Sequence, residues 1–353
     1  MNRTPSSPSS LLDANDRLAR VEAAMQRYAH GGRIDRLAAM ALDQLGSGGR
    51  RFRARLALLA CEALGVQERD AILWATAVEL LHNATLIHDD IQDEDVTRRD
   101  CPTLWVKYGR AQAINAGDYL LMLPHLVVED LTSPVRAELG FTIARAATDI
   151  VRGQCSEMGL RSSGRFDWDS YLSAVQGKTG ALLALPVHGA LLLAGRSVLE
   201  CERISAVFRD IGTLFQLQDD LVDLYGDKGR DELGGDIYEG KISALVVAQL
   251  ECSPSSHTLV LGILDRPRDA TTSEDIQLLA ALFVRSGARD RVVARICALR
   301  SRILDPEALL REPSLCKVAH ELVAWSLAPI EHLLPSSNPS PCQQSGGVSG
   351  RTA

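Results

Sequence analysis

Apolar residues in this chain recur mainly at intervals of three and four, the spacing that lines one face of an α-helix. On this pattern residues 11–30, 51–64, 69–93, 111–131, 135–158, 168–176, 180–193, 198–225, 242–251, 273–286, 288–304 and 314–334 are expected to be helices. Breakers fall between them: Gly46–Gly49, Pro102, Pro134, Gly164, Gly226–Gly235, Pro254 and Pro306. Alternation over strand length is hard to find, and aromatic residues make up only 5% of the chain. The expectation is an all-α bundle of ten or more helices, a fold that holds ligands between facing helices. No composition shift divides it. Residues 11–334 read as one helical domain, with 1–10 and 335–353, rich in small and polar residues and proline, as disordered tails.

Composition narrows the picture. With 353 residues, 46% of them hydrophobic, the chain can bury a large core. Its 38 basic and 45 acidic residues leave a net charge of −7, which argues against nucleic acid as a partner. No uninterrupted apolar run reaches the roughly 18 residues of a membrane span; Ala181–Ala194 is interrupted by Pro186, His188 and Gly189. The first ten residues lack the apolar stretch of a signal peptide. The eight cysteines are scattered and none forms a Cys-x-x-Cys pair, which fits a reducing cytoplasm rather than a disulfide or zinc framework.

The candidate chemistry lies in two Asp-Asp-x-x-Asp runs, Asp89-Asp90-Asp93 and Asp219-Asp220-Asp223, 130 residues apart. On a helix, Asp89 and Asp93 share a face, as do Asp219 and Asp223, and each such pair repels by about 0.2–0.5 kcal/mol. The apolar stretches that precede both runs make unpaired carboxylates costlier still. Either run alone reads as a solvated acidic helix end. Two runs able to face one another across a bundle suit hard divalent cations, and Mg²⁺ characteristically completes its shell with substrate phosphate. Basic residues stand where an anion needs them: Arg50, Arg51 and Arg53 after Gly48-Gly49 at a helix start, Arg98-Arg99 past the first run, then Lys178-Thr179 and Lys241. Gln216 lies one turn before the second run, able to donate to a phosphate or an Asp. His88-Asp89 also invites comparison with helical phosphohydrolases, a reading that leaves the second run unexplained.

The stretches GGRRFR (48–53), ELLHNATLIHDDIQDEDVTRRDCPT (79–103), QAINAGD (112–118), GQCSE (153–157), YLSAVQGKTGALL (171–183), FQLQDDLVDL (215–224) and DIYEGKIS (236–243) together resemble the trans-isoprenyl diphosphate synthases, the polyprenyl synthetases, in family order. The resemblance implies an isoprenoid-synthase helical bundle with a central cavity, and head-to-tail prenyl transfer. Asp89, Asp93 and Asp219 would ligate Mg²⁺, three ions in all with Mn²⁺ able to substitute, supported by Asp90, Asp220 and Asp223. Arg98, Lys178, Thr179, Gln216 and Lys241 would hold the allylic diphosphate. Arg50, Arg53, His82 and Arg99 would cradle isopentenyl diphosphate. It also implies a cytoplasmic homodimer. Departures are Arg50 for the usual Lys, Ala54 for Pro, Asp100 for Gly, Glu157 for Asp and Ser243 for Thr. The basic residues that close the site from the carboxyl end in some relatives are not evident after Lys317.

Product length is read from small residues, Ala84 and Thr85, five and four positions before Asp89, where bulky aromatics stop growth early in this family. Tyr119, Met122 or Leu123 on a neighbouring helix would be the next barrier. The expected product is geranylgeranyl diphosphate (C20), with C15 and C25 or longer kept open. A class I terpene cyclase would carry a different second metal motif and need no Arg50–Arg53 anion site. A non-catalytic subunit would be expected to lack Asp or Lys members, and none is missing.

Overall fold

The computed structural model describes residues 15–33, 35–226, 233–305, 307–309 and 312–335. The expected tails, apart from residue 335, and the first residues of the expected opening helix lie outside these. Among the described residues the strands are confined to one small hairpin and the other elements are helices: α1 (Asn15–His30), α2 (Arg36–Gly46), α3 (Phe52–Ala63), α4 (Glu68–Gln92), β1 (Thr97–Arg98), β2 (Cys101–Pro102), α5 (Leu104–Tyr108), α6 (Arg110–Glu129), α7 (Arg136–Ser163), α8 (Trp168–Val175), α9 (Ala181–Leu193), α10 (Val198–Tyr225), α11 (Gly235–Tyr238), α12 (Ala244–Cys252), α13 (His257–Leu264), α14 (Ser273–Arg285), α15 (Ala288–Leu304) and α16 (Pro313–Leu327). The all-α expectation holds. Helices α2, α5, α11 and α13 were not among the expected ones.

The central element is α4, which packs against α1, α3, α6 and α9 and buries residues on every side. A helix enclosed this way carries no one-sided apolar stripe, and its polar interior residues must find partners inside. Thr76 and Asn83 do so by donating to their own helix's carbonyls. Helix α9 lies between α4 and α10 and packs on both. The buried apolar residues, from Leu18 to Ile330, form one contiguous cluster. No helix among the described residues is long and apolar enough to cross a membrane.

One π-helical turn, Gln176–Gly180, joins α8 to α9 and carries Lys178 and Thr179. Such turns push a residue out of helical register. The backbones around it nearly touch. A Cβ at Gly153 of α7 would lie 2.4 Å from the Lys178 nitrogen, and one at Gly212 of α10 would lie 2.7 Å from the Gly180 Cα. Glycine is what permits that approach.

Candidate active site

The first aspartate run ends α4, where carboxylates meet the negative end of the helix dipole. Asp89 and Asp93 are half-buried. Lys178 Nζ lies 3.8 Å from Asp89 Oδ1 and 2.9 Å from Glu157 Oε2. Lys241 Nζ lies 3.8 Å from Asp93 Oδ2 and also pairs with Glu239. Burial pushes the Asp89 pKa up, against the pull of Lys178 and with the repulsion of Asp93 and Glu157. Asp90 points elsewhere: it is buried and accepts from Arg98, which also reaches Asp95 at 3.6 Å. Burial lifts its pKa to about 6 despite Arg98.

The second run lies near the end of α10. Asp220 is buried and accepts from the Tyr171 hydroxyl at 2.7 Å, the Ala244 amide at 2.7 Å and Gln216 Nε2 at 3.0 Å. Even so, burial raises its pKa to about 6. Asp223 accepts from the Asp236 amide at 3.1 Å. The Asp236 carboxyl is pushed well above the usual range by burial and by Asp220 and Asp223. Lys241 stands between the two runs, feeling Asp93 of the first and Asp236 beside the second. Burial opposes its charge, but Glu239, Asp93 and Asp236 raise its pKa overall. Thr179 donates to Gln216 Oε1 at 3.0 Å, so the Gln216 amide is held between Thr179 and Asp220.

A basic pole forms about two turns before Asp89 along α4. Arg53 Nη1 lies 2.9 Å from His82 Nε2. Glu79 sits beside them, accepting from the Ala54 amide at 3.1 Å with Arg51 Nη1 at 3.9 Å. Burial, then Arg53, Arg99, Arg98 and Arg51, hold the His82 pKa well below its usual value, so its ring is neutral near pH 7. Among the described residues the buried Arg53 Nε and His82 Nδ1 find no hydrogen-bond partner, donors awaiting an acceptor in a strongly positive setting. Arg99 donates to the Gly48 carbonyl; a Cβ at Gly49 would fall 2.3 Å from its Nη1 and displace the guanidinium, and the Gly49 φ of 123° favours glycine. Arg50 lies on the exposed rim.

Two cavities adjoin these groups. One, of about 440 Å³, is lined by Asp93, Glu157, Lys178, Glu239, Lys241 and Arg268 among others. The second, of about 580 Å³, runs between α4, α6 and α7 past Asp89, Thr85, Leu81, Leu121, Ile150 and Val151. Gln92, Gln154 and Met158 border both. The wall on the neighbouring helix differs from expectation. Leu121 and Asp118 line the second cavity, whereas Tyr119 donates to the Ala29 carbonyl on α1, Leu123 is buried in the core and Met122 faces outward. Ala84 is wholly buried and Thr85 lines the cavity. A one-residue shift on a helix turns a side chain by about 100°, which is what separates Leu121 from Met122.

The structure thus brings Asp93, Lys178 and Lys241 to one cavity, with Asp89 on the adjoining one 3.8 Å from Lys178, and Arg53, His82 and Arg99 to one pole. It sets Asp90 and Asp220 aside as buried acceptors. Sequence reasoning passed over Tyr171, Asp236, Glu239 and the pairing of Arg51 with Glu79. The Asp236 and Glu239 signal was present, as two acids beside Lys241 in DIYEGK. Among the described residues no three His, Cys, Asp or Glu side chains converge to hold a metal ion, and lysine amines lie 3.8 Å from Asp89 and from Asp93. The donor chemistry nevertheless suits a hard divalent cation. It offers oxygen ligands only, in a place where burial and mutual repulsion already strain the ionised carboxylates.

Comparison with known proteins agrees with this chemistry. The family model described as polyprenyl synthetase matches residues 35–282. A (2E,6E)-farnesyl diphosphate synthase of Mycobacterium bovis is 38% identical over 249 residues, 69% of this chain and 68% of the relative. A geranylgeranyl diphosphate synthase of Mycobacterium tuberculosis is 30% identical over 283 residues, 77% and 81% of the two chains. The solved structure of a polyprenyl synthetase from Streptomyces coelicolor A3(2) shares the fold with a TM-score of 0.79 at 23% identity, covering 88% of this chain and 98% of that one.

Proposed function

The chain belongs to the polyprenyl synthetase family and is a trans-prenyltransferase, and from that premise we propose that it condenses isopentenyl diphosphate with an allylic diphosphate to make geranylgeranyl diphosphate. The observation that carries this is the junction of a charged cavity with a mainly apolar one beside Asp89, the arrangement a diphosphate head on a prenyl tail requires. Lys178 and Lys241 hold the allylic diphosphate, with Thr179, Gln216 and Arg98 ordering its surroundings. Arg53, His82, Arg99 and Arg50 take the diphosphate of isopentenyl diphosphate, where the unpartnered Arg53 Nε and His82 Nδ1 supply donors.

Asp89, Asp93 and Asp219 would hold magnesium, three ions in all, which when bound neutralises the departing diphosphate. The protein's own part is positional and electrostatic. The lysines meet negative charge as the allylic C–O bond breaks, an effect strongest in a site closed to water. The isopentenyl double bond attacks the freed carbon, a new C–C bond forms, and the proton lost from the adduct passes to the departing diphosphate. Leu81, Leu121, Ile150 and Val151 shelter the tail from water. Residues 11–334 work as one domain, and the protein acts in the cytoplasm as a homodimer. Its unpartnered apolar side chains on α6 and α7 support the dimer, and the seven described cysteines, all free thiols, suit a reducing compartment.

The test is extension of labelled isopentenyl diphosphate on farnesyl diphosphate, with the dephosphorylated alcohols sized. A C20 alcohol is expected, abolished by EDTA. Lys178→Ala is expected to lower kcat by about 10²–10³, and Leu121→Phe to shift product toward C15. Condensation that survives metal removal would refute the mechanism, and a dominant C30–C40 product the chain length.

A further inference from the structure

The indole of Trp325 on α16 lies between two rings from other helices. Phe52 of α3 is 4.8 Å away, centroid to centroid, and 18° from parallel. Phe215 of α10 is 5.9 Å away and 4° from parallel. Phe52 is bracketed in sequence by Arg51 and Arg53 of the basic pole, and Phe215 immediately precedes Gln216 on the helix of the second aspartate run. The stack therefore connects the segment that bears one set of phosphate donors to the segment that bears the other.

Trp325 differs from the other three tryptophans. Trp74 donates to the Pro186 carbonyl at 2.8 Å, Trp105 to the Asp95 carbonyl at 2.8 Å, and Trp168 to Glu251 at 3.0 Å. Among the described residues the Trp325 Nε1 donates to none, and the side chain is 38% exposed. Phe52 and Phe215 are likewise only half-buried. Three large rings stacked in parallel, open on one side and held by no polar anchor, form an accessible apolar wall rather than core. A diphosphate gripped by Arg53 and His82 must lay its hydrocarbon toward α10 to meet an allylic carbon beside the aspartates. Phe52 and Phe215 are the large apolar side chains one position from each donor segment, beside Arg53 and Gln216.

We propose that Trp325 is a positioning residue for the homoallylic substrate: acting through Phe52 and Phe215, it sets the apolar wall against which the five-carbon hydrocarbon of isopentenyl diphosphate rests. This depends on the reading that Arg53, His82 and Arg99 hold that substrate's diphosphate. Truncating the indole leaves the two phenyl rings without the spacer between them, so the wall loses its shape while the phosphate donors stay. The loss falls on one substrate.

Trp325→Ala and Trp325→Phe are measured for kcat and for the KM of each substrate. Intrinsic fluorescence is titrated with isopentenyl diphosphate in wild type and Trp325→Phe. Trp325→Ala is expected to raise the isopentenyl diphosphate KM at least tenfold, with the allylic KM within twofold. Trp325→Phe is expected to restore it to within threefold, and to remove the fluorescence quench that isopentenyl diphosphate causes in wild type. Equal losses toward both substrates, or lowered thermal stability with an unchanged KM ratio, overturn the proposal. A wild-type protein that turns over neither substrate but keeps a Trp325-dependent quench refutes the catalytic reading and leaves this one standing. Normal turnover with an unaltered KM ratio in Trp325→Ala refutes this one alone.

Discussion

Asp100 and Arg99 occupy the two-residue tip of the β1–β2 hairpin, and both take positive φ, 62° and 55°. That is the type I′ geometry, which favours glycine at its second position. Asp100 is tolerated there because short polar side chains bear left-handed backbone best among non-glycine residues. Asp100→Gly is expected to stabilise the protein by about 0.5–1 kcal/mol, the relief of left-handed strain exceeding the extra freedom of glycine in the unfolded chain. Asp100→Val is expected to destabilise it by about 1–2 kcal/mol. Thermal melts of the two variants check both signs, and a lower melting temperature for the glycine variant would contradict the strain argument. The same scale shows why the aspartates were only partly legible. Asp-Asp-x-x-Asp announces a carboxylate face, but two adjacent aspartates point about 100° apart and repetition does not say which meets the cavity. Arg98 claims Asp90, and Tyr171, Gln216 and the Ala244 amide claim Asp220.

Among the elements, long periodic segments were easiest to foresee: Val198–Tyr225 and Ala288–Leu304 begin and end where the pattern does. The Ser197 capping box sharpens the first of these boundaries. Short helices such as α5, α11 and α13 offer too few turns for a period to show. Pro124 and Pro186 sit inside helices, where burial against neighbours outweighs the lost backbone bond. The π-turn that presents Lys178 was invisible, because the close packing around it involves a different helix, at Gly153. Gly153→Ala would place a methyl 2.4 Å from the Lys178 nitrogen and must shift the turn. It is expected to lower kcat at least tenfold while the protein stays folded by circular dichroism, and near-normal turnover would show that the close approach is dispensable.

For the whole molecule, exposed apolar side chains among the described residues include Met122 and Leu126 on α6 and Phe141 on its packed neighbour α7, the last 68% exposed. Side chains of this kind on adjoining helices are costly in water and are what the proposed dimer would cover. Light scattering is expected to find a dimer, and Phe141→Asp with Met122→Glu to yield monomer. A monomeric wild type at micromolar concentration would refute the self-association. From the order of residues alone came the helical class, both aspartate runs, the basic motifs and the kind of substrate they serve, because periodicity, charge and motif spacing are local properties of a chain. Only the tertiary structure decided that Asp89 rather than Asp90 borders the apolar cavity, that Asp220 is buried among Tyr171, Gln216 and the Ala244 amide, that Leu121 rather than Met122 borders the apolar pocket, and that Phe52, Phe215 and Trp325 meet. These depend on the rotation of each helix about its axis and on contacts between segments far apart in sequence. Packing sets both, and no local pattern encodes either.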